Sequence, residues 1–233
     1  MAKGDTDLSK FPREVIPALK RKLLAEAARA EAEAQTSRAE AAVAEIAQRD
    51  LERKEQEILA GDKYHYVYGF NDAVNQNSVA HCVSQLSQWA RNKPGCGIKI
   101  VFNSPGGSPI ESMALYDYLQ TLKAKGHKLT TVAMGLAAST AGILLQAGNH
   151  RAIGAESYVL IHEISTGAIG KIGEIEDVVK FCKMIQKRVL NIFAERSNKK
   201  VGYFEKHWRR TDWWLSSDDC LKLGLVDEVL SDS

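Results

Sequence analysis

Apolar and polar positions follow two different rules on either side of Gly61-Asp62. The stretch before it is rich in Ala, Glu and Arg, and Phe11 is its only aromatic residue. Pro12 and Pro17 stand near its start, where proline suits the first turn of a helix. From there to Ala60 neither Gly nor Pro interrupts the chain, which predicts one long helix. Leu23, Ala30, Ser37, Ala44, Leu51 and Ile58 recur every seven residues, and Ala27, Ala34 and Ala41 follow the first three by four. This is a heptad seam, but a thin one, because alanine buries little area. Residues 1–60 therefore read as a helical arm, either solvated or coiled-coil.

After Gly61 short apolar runs alternate with amphipathic ones. Strands are predicted at Tyr64–Phe70, Ile98–Phe102, Leu129–Met134, Arg151–Ile153 and Tyr158–Ile161. Helices are predicted at Asn75–Asn92, Pro109–Gly126, from Ser139 onward, and at Ile172–Ser197. In the first of these, Val79, Val83 and Leu86 share one face. The βαβ alternation implies an α/β fold with a parallel sheet and helices on its faces. Residues 61–233 are enough for one domain with a sizeable core.

Candidate chemistry gathers at the ends of the apolar runs. Ser139 lies in Gly135-Leu-Ala-Ala-Ser139-Thr-Ala-Gly142, between a strand-like run and the apolar start of a helix. A hydroxyl there meets backbone N–H groups and the helix dipole, which favour developing negative charge. The geometry is that of a nucleophile elbow without the Gly-x-Ser-x-Gly spacing. Asn103-Ser-Pro-Gly-Gly107 follows another strand-like run, and glycines there can leave N–H groups uncovered for an oxyanion. His162 ends a third run, and Ser139, His162 and a later acid would supply nucleophile, base and orienting carboxylate. The candidate acids are Asp212, Glu163, Asp218 and Asp219. Glu163 follows His162 in an extended segment and should face the other way. Asp218 and Asp219 follow Ser216-Ser217 and read as charges at a helix N-terminus.

Asn103-Ser-Pro-Gly-Gly107, Met113-Ala-Leu-Tyr-Asp117, Gly135-Leu-Ala-Ala-Ser139 and Leu160-Ile-His162 resemble, in order and spacing, the Clp protease proteolytic subunit (ClpP) family. Gly170-Lys-Ile-Gly-Glu-Ile-Glu176 resembles the start of its handle helix. Asp212-Trp-Trp-Leu-Ser216 and Leu223-Gly-Leu-Val-Asp227 resemble its C-terminal signature. The resemblance runs from about Tyr64 to Val229 and implies a ClpP/crotonase-like fold behind the arm. It implies a serine endopeptidase with Ser139 as nucleophile, His162 as general base and Asp212 as the third member. It also implies an oxyanion hole from the backbone N–H groups of Gly107 and Thr140, with substrate pairing along Gly106 and Gly107. The family usually has Met at the position of Thr140, and Arg at that of Trp213, where it joins two rings. The arm replaces the short axial hairpin and helix through which the family docks an ATPase.

Composition narrows the rest. The chain has 233 residues with a formal net charge of +2, a balance that makes no case for a nucleic acid or an acidic membrane surface, and neither partner is expected. No apolar run approaches the roughly 20 residues that span a bilayer, and the polar start is unlike a signal peptide. Cys82, Cys96, Cys182 and Cys220 are scattered without metal or disulfide spacing, as in a reducing cytoplasm. No metal or cofactor is expected. The partners expected are a protein or peptide substrate and further copies of the chain in a ring. The replaced arm suggests a phage-type enzyme in the host cytoplasm that processes capsid or scaffold proteins. Its alternatives are the proteolytic subunit of an ATP-dependent Clp protease with an AAA+ unfoldase, a catalytically silent scaffold of the same fold, and a crotonase-like acyl-CoA enzyme. Trp208, Trp213 and Trp214 read either as an apolar contact surface or as ordinary packing.

Overall fold

The structure is a computed structural model that describes residues 12–230; the first eleven residues of the predicted arm and the last three of the chain lie outside the described residues. The chain forms two compact units, one ending at Gly61 and one beginning at Asp62.

The first unit is helix α1, Ile16–Ala60, with Pro17 in its first turn. None of its residues is buried. Its support is local: good helix formers, and charge pairs one turn apart such as Lys22–Glu26, Glu45–Arg49 and Arg53–Glu57.

The second unit is α/β. Its first half runs β1 (Val67–Phe70), α2 (Gln76–Asn92), β2 (Gly97–Ser104), α3 (Pro109–Ala124), β3 (Lys128–Ala138) and α4 (Thr140–Leu145). Then follow β4 (His150–Gly154), β5 (Tyr158–Ile161), α5 (Ile172–Glu195), α6 (Val201–Trp208), β6 (Trp213–Ser216), α7 (Ser217–Leu223) and β7 (Glu228–Leu230). The sheet order is β1-β2-β3-β4-β7, every pair parallel; β5 also joins β3 in parallel, and β6 closes on β5 antiparallel. β2 alternates, burying Ile98, Ile100 and Phe102 on one face while Lys99 and Asn103 stay exposed on the other, and Leu129 and Ala133 of β3 join the same core.

Three expected elements shift. The first strand begins at Val67, because Lys63 to Tyr66 forms a turn that places Tyr66 at φ +57°. The strand expected to stop at Met134 runs on to Ala138, kinking at Gly135 (φ +86°) as it keeps β2 on one side and trades β4 for β5 on the other. On α2 the central buried position is Cys82, with Val83 only partly covered. Asp218 and Asp219 do lie in the first turn of α7, capped by Ser216. Trp208 is buried and Trp213 half-buried against Tyr203 and His207, so ordinary packing describes both; Trp214 alone of the three is exposed. Among the described residues no helix is long and apolar enough to cross a membrane, and no cluster of three or more His, Cys, Asp or Glu could hold a metal.

Candidate active site

The site forms where β2, β3 and β5 end side by side. Parallel pairing sends all three C-termini to the same edge, the usual place for ligands in such sheets. After β2, Ser104 shapes the loop: its hydroxyl donates to Asp72 O (2.6 Å) and accepts from Gly106 N–H (3.2 Å). The loop is then fixed to Val74, which donates to Gly106 O (2.8 Å) and accepts from Ser108 N–H (2.7 Å). In such a parallel bridge the residue between, Gly107, turns its own N–H the other way. Ser108 and Pro109 then start α3, Ser108 as its cap.

Ser139 occupies the junction of β3 and α4 at φ 56°, ψ −122°, a conformation that non-glycine residues rarely adopt. Its N–H donates to Leu160 O (2.8 Å), tying the turn to β5. Its side chain does not cap α4 and so stays available. Thr140, the first residue of α4, has an N–H with no preceding helical turn to bond to. Small neighbours permit this crowding. A Cβ on Gly106 (φ +85°) would stand 2.7 Å from Ser139 Cβ and 3.0 Å from Thr140 N, and one on Gly107 (φ +155°) would strike the Val74 backbone.

His162 follows β5 directly. Ser139, Thr140, Gly107 and His162 line one cavity of about 160 Å³, with Pro105, Pro109, Ile143, Glu163, Ile164, Ser165 and Val189. His162 Nδ1 lies 2.5 Å from Glu163 O. A carbonyl can only accept, so Nδ1 carries the proton and Nε2 of the neutral ring is left as an acceptor. That is the tautomer a general base requires.

Asp212 is exposed and immediately precedes β6. The antiparallel register ends at Ile161 opposite Trp213, so His162 and Asp212 are the residues that follow β5 and precede β6 just beyond the last pair. The two side chains are not hydrogen-bonded in this structure, where Nδ1 is held by Glu163 O. The structure thus brings Ser139, His162, Gly107 and Thr140 to one cavity, with Gly106 packed beneath the serine, whereas Asp212 does not line it. Glu163 departs from the alternation expected of it. The pleat stops at Ile161, so Glu163 lines the same cavity as His162, and its carboxylate accepts Arg210 N–H at 3.0 Å. Ile143 and Val189, which wall the cavity, carried no sequence signal beyond their apolar character.

The sequence model of the Clp protease family matches residues 66–233. An ATP-dependent Clp protease proteolytic subunit of Bacteroides fragilis is 33% identical over 141 residues, covering 59% of this chain and 65% of the relative. One from Bacteroides thetaiotaomicron is 33% identical over 141 residues, covering 59% and 61%. The chain thus spans somewhat less than two thirds of the length of these relatives.

Proposed function

The chain belongs to the Clp protease family, and from that premise we propose that it is a serine endopeptidase whose nucleophile is Ser139. The observation that carries the reading is the shared cavity. A strained serine at the head of a helix, an imidazole with a free Nε2, and two unengaged backbone N–H groups border the same space.

In this mechanism Ser139 Oγ attacks the scissile carbonyl carbon while His162 Nε2 takes the hydroxyl proton. The C–O bond forms as the carbonyl π pair moves onto oxygen. The Gly107 and Thr140 N–H groups receive that oxyanion, where one such donor is worth about 2.7–4 kcal/mol. His162 returns its proton to the amine nitrogen as the C–N bond breaks. Water, deprotonated by His162, then frees the acyl group. Asp212, the residue just before β6, completes the set by turning its carboxylate toward the imidazolium and displacing the Glu163 carbonyl from Nδ1. The substrate lies extended along Gly106 and Gly107, in the manner of an added strand.

The natural substrates in this reading are capsid or scaffold proteins of a phage, and the active form is a ring of copies. What supports it is α1, 45 residues without a single buried side chain, which offers a long surface to a partner. The test is incubation of the purified full chain with a fluorogenic peptide, with capsid and scaffold precursors, and with casein plus an AAA+ unfoldase. Peptide and precursor cleavage, lost in Ser139→Ala with an unchanged circular dichroism spectrum, is the expected result. Casein degradation only with the unfoldase, and no precursor cleavage, would favour the ATP-dependent role instead. Cleavage that survives Ser139→Ala would end the proposed chemistry.

A further inference from the structure

Helix α4 has only six residues, all of them buried, so the carbonyls at its C-terminal end cannot turn to water. Four in succession are taken by side chains from elsewhere in the fold. Leu145 O accepts from Thr131 Oγ1 (2.7 Å), Gln146 O from Arg196 Nε (3.1 Å), Ala147 O from Lys123 Nζ (3.1 Å) and Gly148 O from Arg196 Nη2 (2.7 Å). The Gln146 side chain is held as well: its Oε1 accepts from Arg151 Nη1 (2.8 Å) and its Nε2 donates to Gly142 O (3.3 Å). Arg151 Nη1 also donates to Arg196 O (2.5 Å).

Arg196 makes two of these four carbonyl contacts, and it is the C-cap of α5. The N-terminal end of α4 is held by Ser139 N–H on Leu160 O (2.8 Å) and by Ser112 Oγ on Thr140 O (3.3 Å), with no side-chain cap from Ser139. A six-residue helix is only about 9 Å long, so a shift at one end is felt at the other. Where its C-terminal end is held therefore helps to set where Ser139 Oγ and the Thr140 N–H stand relative to His162 and Gly107.

We propose that Arg196 is a positioning residue for the catalytic elbow, acting from the far end of α4. The proposal rests on the reading that Ser139 is the nucleophile. Convergence of Arg151, Arg196 and Lys123 is electrostatically unfavourable in itself. Burial and then the charge of Arg196 pull the Lys123 amine below its usual range, and burial and then Arg151 do the same to Arg196. Such crowding is sustained because Asp227 pairs with Arg151 and also favours the charge of Arg196, and because the cations meet carbonyls at the C-terminal end of a helix. It also ties the last turn of α5 to the active site through a single side chain.

The experiment compares the full wild-type chain with Arg196→Met and Arg196→Lys. For each, the second-order rate of Ser139 phosphonylation by a fluorophosphonate, kcat and KM on one peptide, and the melting temperature are measured. A misplacement of about 1 Å at a reacting group costs about 100-fold. Arg196→Met is expected to lose about 10- to 100-fold in kcat and in phosphonylation rate, well below its melting temperature, with KM within about twofold. Arg196→Lys, which keeps the charge but can serve fewer of the carbonyls, is expected to recover part of the rate. It also decides the matter if Arg196→Met does not fold. A lowered melting temperature with kcat and phosphonylation within about twofold of wild type in Arg196→Lys and any folded Arg196→Met would reduce Arg196 to a structural residue and overturn the proposal alone. A wild-type chain not labelled at Ser139 would overturn the nucleophile reading and this proposal with it.

Discussion

Gly106 lies directly under Ser139: a Cβ on the glycine would stand 2.7 Å from the Cβ of the serine and 3.0 Å from Thr140 N. The contact couples the two loops that carry the proposed nucleophile and the proposed oxyanion donors. Gly106 also holds φ +85°, which an L side chain adopts only at a cost. Gly106→Ala is therefore expected to lose about 100-fold or more in peptide hydrolysis, since it displaces both reacting groups at once. A stability loss of about 1–3 kcal/mol should accompany it. Steady-state kinetics beside urea unfolding check both; a fully active Gly106→Ala would mean the elbow has room that its geometry denies.

Asp212 and Glu163 have different roles in the proposed mechanism. Asp212 is exposed just before β6 and is assigned to the imidazolium, whereas Glu163 spends its carboxylate on Arg210 N–H. Asp212→Asn is expected to lower kcat about 10³- to 10⁴-fold, because it can no longer stabilise the imidazolium. It should leave stability nearly unchanged, as the side chain is exposed. Glu163→Gln can still accept from Arg210 and should cost at least about tenfold less than Asp212→Asn. The opposite ranking in kcat would make Glu163 the orienting acid.

Most of the sheet and the core of the site are legible in the sequence because they obey local rules. Ile98, Ile100 and Phe102 announce a buried strand, and the small residues around Ser139 announce a tight strand-to-helix turn. The rest depends on distant parts of the chain. Trp213–Ser216 is a strand because β5 pairs with it, not because four mixed residues demand one. Tyr64–Tyr66 has strand-like aromatics, but the turn from Lys63 overrides them. Glu163 escapes its expected face because the pleat ends two residues earlier. Lys123, Arg151 and Arg196 look like ordinary surface charges in the sequence, and only the fold brings them to one helix end.

Arg151 is buried and bonds Asp227 at Nη2 (2.6 Å) and Nε (3.1 Å), fastening β4 to the turn before β7. Burial works to raise the Asp227 pKa, but the hydrogen bonds and charge of Arg151, with Arg196 beyond, more than offset it and hold the carboxyl below its usual range. A depressed carboxyl stabilises the fold above its unfolded pKa of about 3.9 and loses that contribution as pH falls through the lower folded value. Wild-type stability should thus fall below about pH 4, and Asp227→Asn should lose less over the same interval. At pH 7 Asp227→Ala removes the carboxylate partner of Arg151 and should cost about 1–2 kcal/mol, less than for a fully buried pair because Asp227 is partly exposed. Urea melts from pH 3 to 7 test the sign; parallel acid losses in wild type and Asp227→Asn would show that the pair is not the cause.

Thr140 Oγ1 is buried without a hydrogen-bond partner among the described residues. An unsatisfied buried hydroxyl costs about 1–3 kcal/mol, so Thr140→Val should stabilise the fold by about 1 kcal/mol. A thermal melt shows the sign, and a destabilised Thr140→Val would mean that the hydroxyl is engaged.

An activated Ser139 beside His162 reacts with a fluorophosphonate where an ordinary serine does not. Intact-mass and peptide mapping of the full chain after that reaction, alongside Ser139→Ala and His162→Ala, reads this out. One adduct per chain is expected, on Ser139, absent in Ser139→Ala and slowed at least about 100-fold in His162→Ala. An unmodified Ser139 in the assembled protein, or labelling at equal rate without His162, would contradict it.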